Sequence, residues 1–228
     1  MTDDQRIWLE VPFAEKDAAK AAGAQWDWAM RAWYAPRPGM TELRQWAGRP
    51  PLPDLLPGED RLFGDGLFVD LVPDSCWFTN VRSCVDDRDW DRIKRVVRRR
   101  AHDRCEACGA RRDAAVWRWL EAHERWQYDA ATRAQRLKRL VCLCSFCHEV
   151  THFGFASING HEDRALRHLM YVNDWSGARA NRHVEDAFKL WEERCKFDWT
   201  LDLGILFNAG IAVHEPPDPY ERRRIGRR

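Results

Sequence analysis

The sequence of 228 residues predicts an α+β protein with a small N-terminal α/β module and a larger second domain that ends in helices. Three observations support this prediction. Residues 6–47 alternate short apolar segments with turns. Two Cys-x2-Cys pairs bracket two predicted strands and the start of a helix between residues 105 and 153. Amphipathic segments at 162–172 and 178–196 then predict the C-terminal helices.

The N-terminal module is predicted to span residues 1–48. Gly23 stands where a left-handed residue would end its helix. The predicted elements are a strand at 6–11, a helix at 14–22, a hairpin of Gln25–Asp27 with Ala32–Ala35, and a second helix at Thr41–Trp46.

The rest of the chain is predicted in three parts. Residues 49–73 are rich in Pro, Gly and Asp and indicate a linker. We expect five of its apolar residues to dock onto the next domain: Phe63, Leu67, Phe68, Val69 and Leu71. Residues 74–210 form the second domain, and the basic residues 211–228 form a disordered tail. Within the second domain we predict strands at 117–123, 140–143 and 199–206, and helices at 89–100, 147–153, 162–172 and 178–196.

Composition and charge restrict the function class. No apolar run approaches the roughly 20 residues that span a bilayer, and the N-terminus lacks the pattern of a secretory signal, so we expect a cytoplasmic protein without membrane contact. In that reducing compartment, grouped cysteines indicate a metal site more often than a disulfide. The formal net charge is only +1, but Arg92–Arg104 is strongly basic. This segment predicts phosphate contacts through Arg95 and Arg99, with a solvated helix face as the alternative.

The two cysteine pairs, Cys105/Cys108 and Cys144/Cys147, predict a structural Zn²⁺ site. A Cys-x2-Cys turn presents two thiolates from one tight backbone turn, and two such turns complete a tetrahedral set of ligands. Cys142 is a competing ligand in the segment Cys142-Leu-Cys144, but its spacing fits no second turn, so we interpret it as a buried strand residue.

Three histidines are the candidate second metal site. His148 and His152 stand four residues apart, which places them on one face of a predicted helix. His123 lies on the strand between the two cysteine pairs. The alternative is that His148 and His152 are surface residues of a scaffold that binds only the structural metal.

Two resemblances to known families follow from these motifs. The segment GAQWDWAMRAWYAP resembles a small domain attached to plasmid primases, antirestriction proteins and topoisomerases, and more distantly the DNA-binding HARP module of annealing helicases. This resemblance implies that Lys16, Lys20, Arg31 and Trp33 face a nucleic acid, whereas the alternative places Trp33 in the core of the module.

The order Cys-x2-Cys, Leu-Glu-x-His, Leu-Cys-x2-Cys-His-x3-His resembles zinc-stapled HNH nucleases of the McrA-like type, which have a ββα-metal active site. The resemblance implies a second divalent ion, Mg²⁺, Mn²⁺ or another, held by His148 and His152. It also implies that His123 is either a ligand of this ion or the general base, and that the second domain is a zinc-stapled ββα-metal domain with C-terminal helices.

The sequence departs from the HNH pattern at two places. The neighbours of His123 are Ala122 and Glu124, where the family has a second ligand or base, and the asparagine before the second cysteine pair is absent, with Gln135 as the nearest amide. If His123 is the base, the usual ligand at Ala122 is missing, and if His123 is a ligand, Glu124 takes the position of the base. Glu121 lies two residues from His123 on the same strand face and is expected to hydrogen-bond it.

The expected function is therefore a metal-dependent endonuclease acting on DNA, most readily double-stranded, with a role in bacterial defence by analogy. The alternative is a catalytically weak or inactive nucleic-acid-binding adaptor. A homodimer is left open.

Overall fold

Residues 6–77 and 79–216 are described by a computed structural model of the chain. The chain divides between Pro53 and Asp54 into two units. Residues 217–228 of the tail predicted at 211–228 lie outside the described residues. At its start, Ile211 is buried and the His214 N–H donates to the Cys84 carbonyl (2.7 Å). None of the helices within the described ranges has the length and apolar character needed to cross a membrane.

The first unit is a small antiparallel sheet with one short helix. Its elements are β1 (Ile7–Leu9), α1 (Lys16–Ala21), β2 (Gln25–Asp27) and β3 (Ala32–Ala35). The sheet order is β1-β3-β2, and the predicted hairpin of β2 with β3 is confirmed. Gly23 has a φ of +93°, the left-handed conformation expected after α1. The predicted helix at Thr41–Trp46 is a 3-10 helix, which buries Leu43 and Trp46 against the sheet.

The segment predicted as a linker is divided between the two units of the structure. Residues from Asp54 onward belong to the second unit. Leu56, Leu67 and Val69 are buried, and the latter two join the main core of that unit, as their predicted docking requires. Proline and glycine interrupt regular helices and strands, but they do not prevent the apolar side chains between them from packing.

A long β-hairpin forms the centre of the second unit. It consists of β4 (Leu120–Asp129) and β5 (Ala134–Cys144), which pair antiparallel with an irregularity between Arg125 and Trp126. A short strand, β6 (Thr200–Asp202), pairs parallel with the start of β5. Both hairpin strands are longer than predicted, because arginines at core-facing positions interrupt the apolar pattern that sequence reasoning follows. The predicted start of the first strand at residue 117 is wrong, because Trp117 lies in a turn with a φ of +55° and β4 begins at Leu120. The predicted strand at 199–206 is wrong beyond Asp202, where a helix follows.

Helices pack around this hairpin. Asp86 accepts a hydrogen bond from the Asp89 backbone N–H (2.7 Å), and Ser176 accepts one from the Arg179 N–H (3.3 Å), so both helices begin with a side-chain N-cap. The single helix predicted at 147–153 is two helices that meet at His152. The helices are α2 (Val81–Cys84), α3 (Asp87–Arg100), α4 (Ser145–Thr151), α5 (Phe153–Ile158), α6 (Glu162–Asn173), α7 (Gly177–Cys195) and α8 (Gly204–Phe207).

The sequential arrangement of β4, β5 and α4 positions the candidate site. No loop separates β5 from α4, because Cys144 ends the strand and Ser145 begins the helix. Val141 and Leu143 of β5 share a buried core with Val150 of α4, Phe153 of α5 and Leu169 of α6. Burial of these side chains fixes the helix against the hairpin.

A buried carboxylate ties the start of the second unit to α3 and β5. The side chain of Glu59 is 0% exposed and accepts two hydrogen bonds from the guanidinium of Arg100, each 2.7 Å long. It also accepts the backbone N–H groups of Leu140 (2.9 Å) and Leu56 (3.3 Å). The negative charge of the Glu59 carboxylate is thus compensated by the guanidinium of Arg100 and by backbone N–H groups.

We expect Glu59→Gln to lower the free energy of unfolding by about 3 kcal/mol, because the change leaves the guanidinium of Arg100 buried without its counter-charge. Urea unfolding of the full chain, followed by circular dichroism, measures this change. Glu192→Gln, at an exposed position on α7, is the matched control and should change the free energy by less than about 0.5 kcal/mol. Equal effects of the two changes would contradict the expectation.

Candidate metal centres

Four cysteine side chains form the first cluster. The sulfur atoms of Cys105, Cys108, Cys144 and Cys147 all lie within 4.8 Å of one another. The Sγ atoms of Cys108 and Cys144 are 3.7 Å apart. In a tetrahedral site with metal–sulfur bonds of 2.3 Å, two sulfur atoms are separated by roughly 3.8 Å. The cluster can therefore hold a structural metal ion of the kind that four thiolates bind.

The two cysteine pairs come from different kinds of local structure. The first lies in a turn in which the Gly109 N–H donates to the Cys105 carbonyl (2.8 Å), and Gly109 has a φ of +73°. The second spans the junction of β5 and α4. Glu106, inside the first pair, accepts hydrogen bonds from the Cys142 N–H (3.0 Å) and from Arg61 and Arg139 (2.7 and 2.6 Å). This carboxylate fastens the turn to β5.

The cysteines differ in acidity. Hydrogen bonds from the thiols of Cys108, Cys144 and Cys147 lower the pKa of Cys105 below its usual range. Burial raises the pKa of the Cys142 thiol to about 12. Cys142 therefore remains a neutral thiol outside the cluster, in agreement with its interpretation as a buried strand residue.

Sequence reasoning missed a histidine at this cluster. The Nε2 atom of His168, on α6, lies 3.2 Å from the Sγ of Cys147. Such a contact orients a metal ligand and tunes its charge. No spacing in the sequence indicates it, because His168 lies 21 residues beyond Cys147 on another helix.

Three histidine side chains form the second cluster. His123 comes from the middle of β4, and His148 and His152 come from the first turn and the end of α4. One ring nitrogen from each lies within 4.8 Å of the others, and the ring centroids are 4.6 to 5.0 Å apart. The structure thus brings together the three imidazoles that the sequence places near one another.

The environment of the imidazoles keeps them neutral. Burial, and then the positive charge of Arg125, lower the pKa of His148 to about 4. Burial, and then His148, lower the pKa of His152 to about 4. The pKa of His123 is also well below its usual range, first through burial and then through the other two histidines. Neutral imidazoles carry the lone pairs that bind divalent ions such as Zn²⁺ or Mn²⁺.

Two carboxylates stand beside the histidine cluster. Glu121 Oε2 lies 3.6 Å from His148 Nδ1, so its imidazole partner is His148, whereas the sequence predicted His123. The alternation of side chains along β4 places Glu121 and His123 on the same face, which α4 covers with His148. Glu124 Oε1 accepts the Val81 N–H (2.8 Å), and its Oε2 lies 3.9 Å from His123 Nδ1. Burial raises the pKa of both carboxyl groups.

A cavity of about 860 Å³ opens beside His123, Glu124 and His152. Pockets of 300–1,000 Å³ are typical of ligand sites. Its remaining walls are largely apolar and come from several parts of the second unit. They include five aromatic residues, Trp77, Trp126, Phe155, Phe188 and Trp191.

Gln135, the amide nearest to the missing asparagine, also lines this cavity, and its Oε1 accepts a hydrogen bond from Thr79 Oγ1 (3.0 Å). It pairs with Tyr128 across the hairpin, several residues from His123, which lies opposite Val141. Gln135 therefore does not support the strand at the position of His123.

The residues of the first unit that are predicted to contact a nucleic acid differ in what they contact in the structure. Lys16 Nζ lies 4.1 Å from the ring centroid of Phe13, and Lys20 Nζ lies 5.8 Å from that of Trp33. Arg31 occupies the hairpin turn with a φ of +50°. Trp33 is half-buried and packs against the core of the unit, in agreement with the alternative interpretation of this residue.

Phe13 and Trp28 are the strongly exposed aromatic residues of the first unit, and sequence reasoning passed over both. Phe13 stands three residues before Lys16, and an aromatic residue near a lysine is the signal that could have identified it. No lysine stands near Trp28 in the sequence.

Several arginines of the basic segment of α3 form ion pairs with carboxylates of the protein itself. Arg99 donates to Asp54 (2.9 Å), and its side chain is only 10% exposed. Arg92 is buried against Asp89, and Arg100 pairs with Glu59. Arg95, the other predicted contact, is half-buried on the same helix. The phosphate contact of Arg99 stays a prediction, although its guanidinium already has a carboxylate partner. Charge density along a helix does not reveal such partners.

Comparisons with known proteins concern a short part of the chain. Residues 6–47 match the family described as "Domain of unknown function (DUF5710)". One DNA primase TraC of Escherichia coli is 46% identical over 54 residues, which cover 23% of this chain and 5% of the primase. A second DNA primase TraC of Escherichia coli is 48% identical over 42 residues, 18% of this chain and 3% of the primase. No solved structure matches the chain. The resemblance of the first module to a domain of plasmid primases is thus supported, and the HNH resemblance of the second domain stays a prediction.

Proposed function

We propose that this chain is a metal-dependent endonuclease of the HNH type, which hydrolyses phosphodiester bonds of DNA. The observation that carries the proposal is the convergence of His123, His148 and His152 from a β-hairpin and the helix that follows it directly. The similarity of a short segment to plasmid DNA primases supports DNA as the substrate.

Two metal ions have separate tasks in this proposal. Zn²⁺ is the natural occupant of the four-cysteine cluster, because soft thiolates in a tetrahedral set select it. The three neutral imidazoles suit a second divalent ion. Such an ion polarises a phosphate oxygen and stabilises the charge that develops on the leaving oxygen.

The side chains of the chain supply the remaining chemistry. With His123 turned toward His148 and His152, all three act as ligands, and the base must come from another residue. Glu124 is the candidate, because its Oε2 lies near His123 while its Oε1 is held by the Val81 N–H. Burial raises the pKa of Glu124, which makes its carboxylate a better acceptor for the proton of an attacking water.

The second candidate function is a nucleic-acid-binding adaptor without catalysis. Two observations favour it: Ala122 stands where the HNH family has a further ligand or base, and Gln135 is engaged by Thr79 away from His123. In this case the chain binds one metal ion, at the four cysteines.

Metal content and plasmid cleavage separate the two candidates. We expect purified full-length protein to bind two metal ions per chain and, with Mg²⁺ or Mn²⁺, to nick supercoiled plasmid DNA. His123→Ala should lose one of the two ions and the cleavage, because it removes one of the three converging ligands. Metal analysis by mass spectrometry and gel electrophoresis of the plasmid give the two readouts.

His102→Asn is the matched control, since His102 is exposed and asparagine tolerates its φ of +52°. This variant should retain both ions and the cleavage. A folded wild-type protein that binds one ion and cuts no DNA with any divalent metal would favour the adaptor.

A further inference from the structure

We propose that residues 111–119, here named the Trp loop, bind unpaired nucleotides of single-stranded DNA beside the histidine cluster. The choice of DNA rests on the proposed function. The loop connects the first cysteine pair to β4, and its sequence is Arg-Arg-Asp-Ala-Ala-Val-Trp-Arg-Trp.

The Trp loop is closed by its own backbone. The N–H of Asp113 donates to the carbonyl of Arg118, and the N–H of Arg118 donates to the carbonyl of Asp113, both at 2.8 Å. The Asp113 carboxylate also accepts the Ala115 N–H (3.0 Å). Trp117, at the end of the enclosed turn, has a φ of +55°, which bulky residues rarely adopt. These bonds fix the backbone of the loop at Trp117.

The first residue of α4 anchors the other side of the loop. Ser145 Oγ donates to the Trp117 carbonyl (3.1 Å) and accepts the Trp119 N–H (3.2 Å). The Ser145 N–H donates to the Trp119 carbonyl (3.0 Å). His148 lies one helical turn beyond Ser145, so the Trp loop and the histidine cluster share one rigid support.

Aromatic surface and positive charge coincide in the loop. Trp117 is 76% exposed and Trp119 is 36% exposed. Arg111, Arg112 and Arg118 form no ion pair within residues 6–77 and 79–216, and Asp113 is the single acidic residue of the loop. The guanidinium of Arg112 lies 4.4 Å from the ring centroid of Trp119. The loop therefore offers stacking surfaces next to cations whose charges are not compensated by carboxylates.

The loop is aligned with the candidate metal centre. Leu120 pairs with Cys144, and the hydrogen bond from Ser145 to Trp119 continues that ladder by one residue. Because side chains alternate along a strand, Trp119, Glu121 and His123 lie on one face. Trp119 and His123 are four residues apart, which is roughly 13 Å along a strand, so a single strand that stacks on Trp119 can extend to the histidines.

Unpaired bases fit this surface better than a duplex does. An indole ring stacks on the face of a base, and in a duplex those faces are covered by neighbouring bases. Arginines beside the ring attract the phosphate backbone irrespective of sequence. A protein partner could cover the two indole rings, but it would also need carboxylates opposite the three arginines. The phosphates of DNA supply that negative charge at every nucleotide.

Equilibrium binding tests the proposal without any cleavage step. Fluorescence anisotropy measures the affinity of the full-length, metal-loaded protein for a labelled oligothymidine and for a labelled duplex of the same length, without added Mg²⁺. We expect Trp117→Ala to weaken oligothymidine binding about tenfold and duplex binding by less than about twofold, since each base–aromatic stack accounts for roughly this difference. Trp117→Phe should retain most of the affinity.

Phe207→Ala is the matched control, because Phe207 is another strongly exposed aromatic residue of the second unit. Failure of the wild type to bind oligothymidine, equal losses for Phe207→Ala and Trp117→Ala, or equal losses for single strand and duplex would each overturn the proposal. The expected binding can be observed even if the protein cuts no DNA, in which case only the proposed nuclease function fails. If the protein cuts DNA but Trp117→Ala does not weaken oligothymidine binding, only the inference about the Trp loop fails.

Discussion

Replacing Glu124 with glutamine is expected to slow plasmid cleavage by about 10³-fold while the chain keeps two metal ions. The carboxamide has nearly the same shape, and its oxygen can still accept the Val81 N–H, but it cannot take a proton from water. Cleavage rates under single-turnover conditions, together with metal analysis, measure both parts of the expectation.

Glu192→Gln, on the exposed face of α7, is the control for Glu124→Gln and should leave the rate unchanged. Loss of the second ion in Glu124→Gln would instead make Glu124 a ligand. An unchanged rate with both ions present would assign the base role to another group, with His123 the first to consider.

Replacing Cys144 with alanine is expected to remove one metal ion per chain and to lower the free energy of unfolding by about 4 kcal/mol. Metal binding at a site that the unfolded chain cannot form contributes directly to folding. For a chain of this size, such a loss lowers the midpoint of thermal unfolding by roughly 8–16 °C. Differential scanning calorimetry and metal analysis on the same sample measure the two effects.

Cys142→Ala is the matched control, since Cys142 is equally buried on the same strand but lies outside the cluster of four sulfur atoms. It also removes a buried sulfur atom, so it should cost some stability while the metal content stays the same. Equal metal loss in the two variants would show that Cys142 is a ligand.

Short-range spacing predicted much of the candidate site. A Cys-x2-Cys turn and a His-x3-His helix are local structures, so the sequence places their side chains on one side of the backbone without knowledge of the fold. The position of His123 opposite α4 depended on the resemblance to a known family, because no local spacing connects residue 123 to residues 148 and 152. The three rings do lie together in the structure.

The sequence was less informative where long-range ion pairs decide the structure. Arg100 looked like part of a basic surface, yet it pairs with Glu59, 41 residues earlier. Arg139 appeared to interrupt a strand, yet it is buried and donates to Glu106, 33 residues earlier. Charge patterns cannot reveal such partners, because the desolvation of a charge depends on the tertiary fold. The Trp loop was missed for a different reason. Trp117 is exposed because it lies in a turn with a left-handed φ, and the sequence did not indicate this turn.

The direct junction of β5 with α4 links the two candidate metal sites. A helix of seven residues does not hold its shape alone, and the first turn of α4 contains both Cys147 and His148. In the proposed function, a metal ion held by Cys144 and Cys147 would join the end of β5 to the first turn of α4, next to His148. Filling of the four-cysteine site would therefore strengthen binding of the second ion at the histidines.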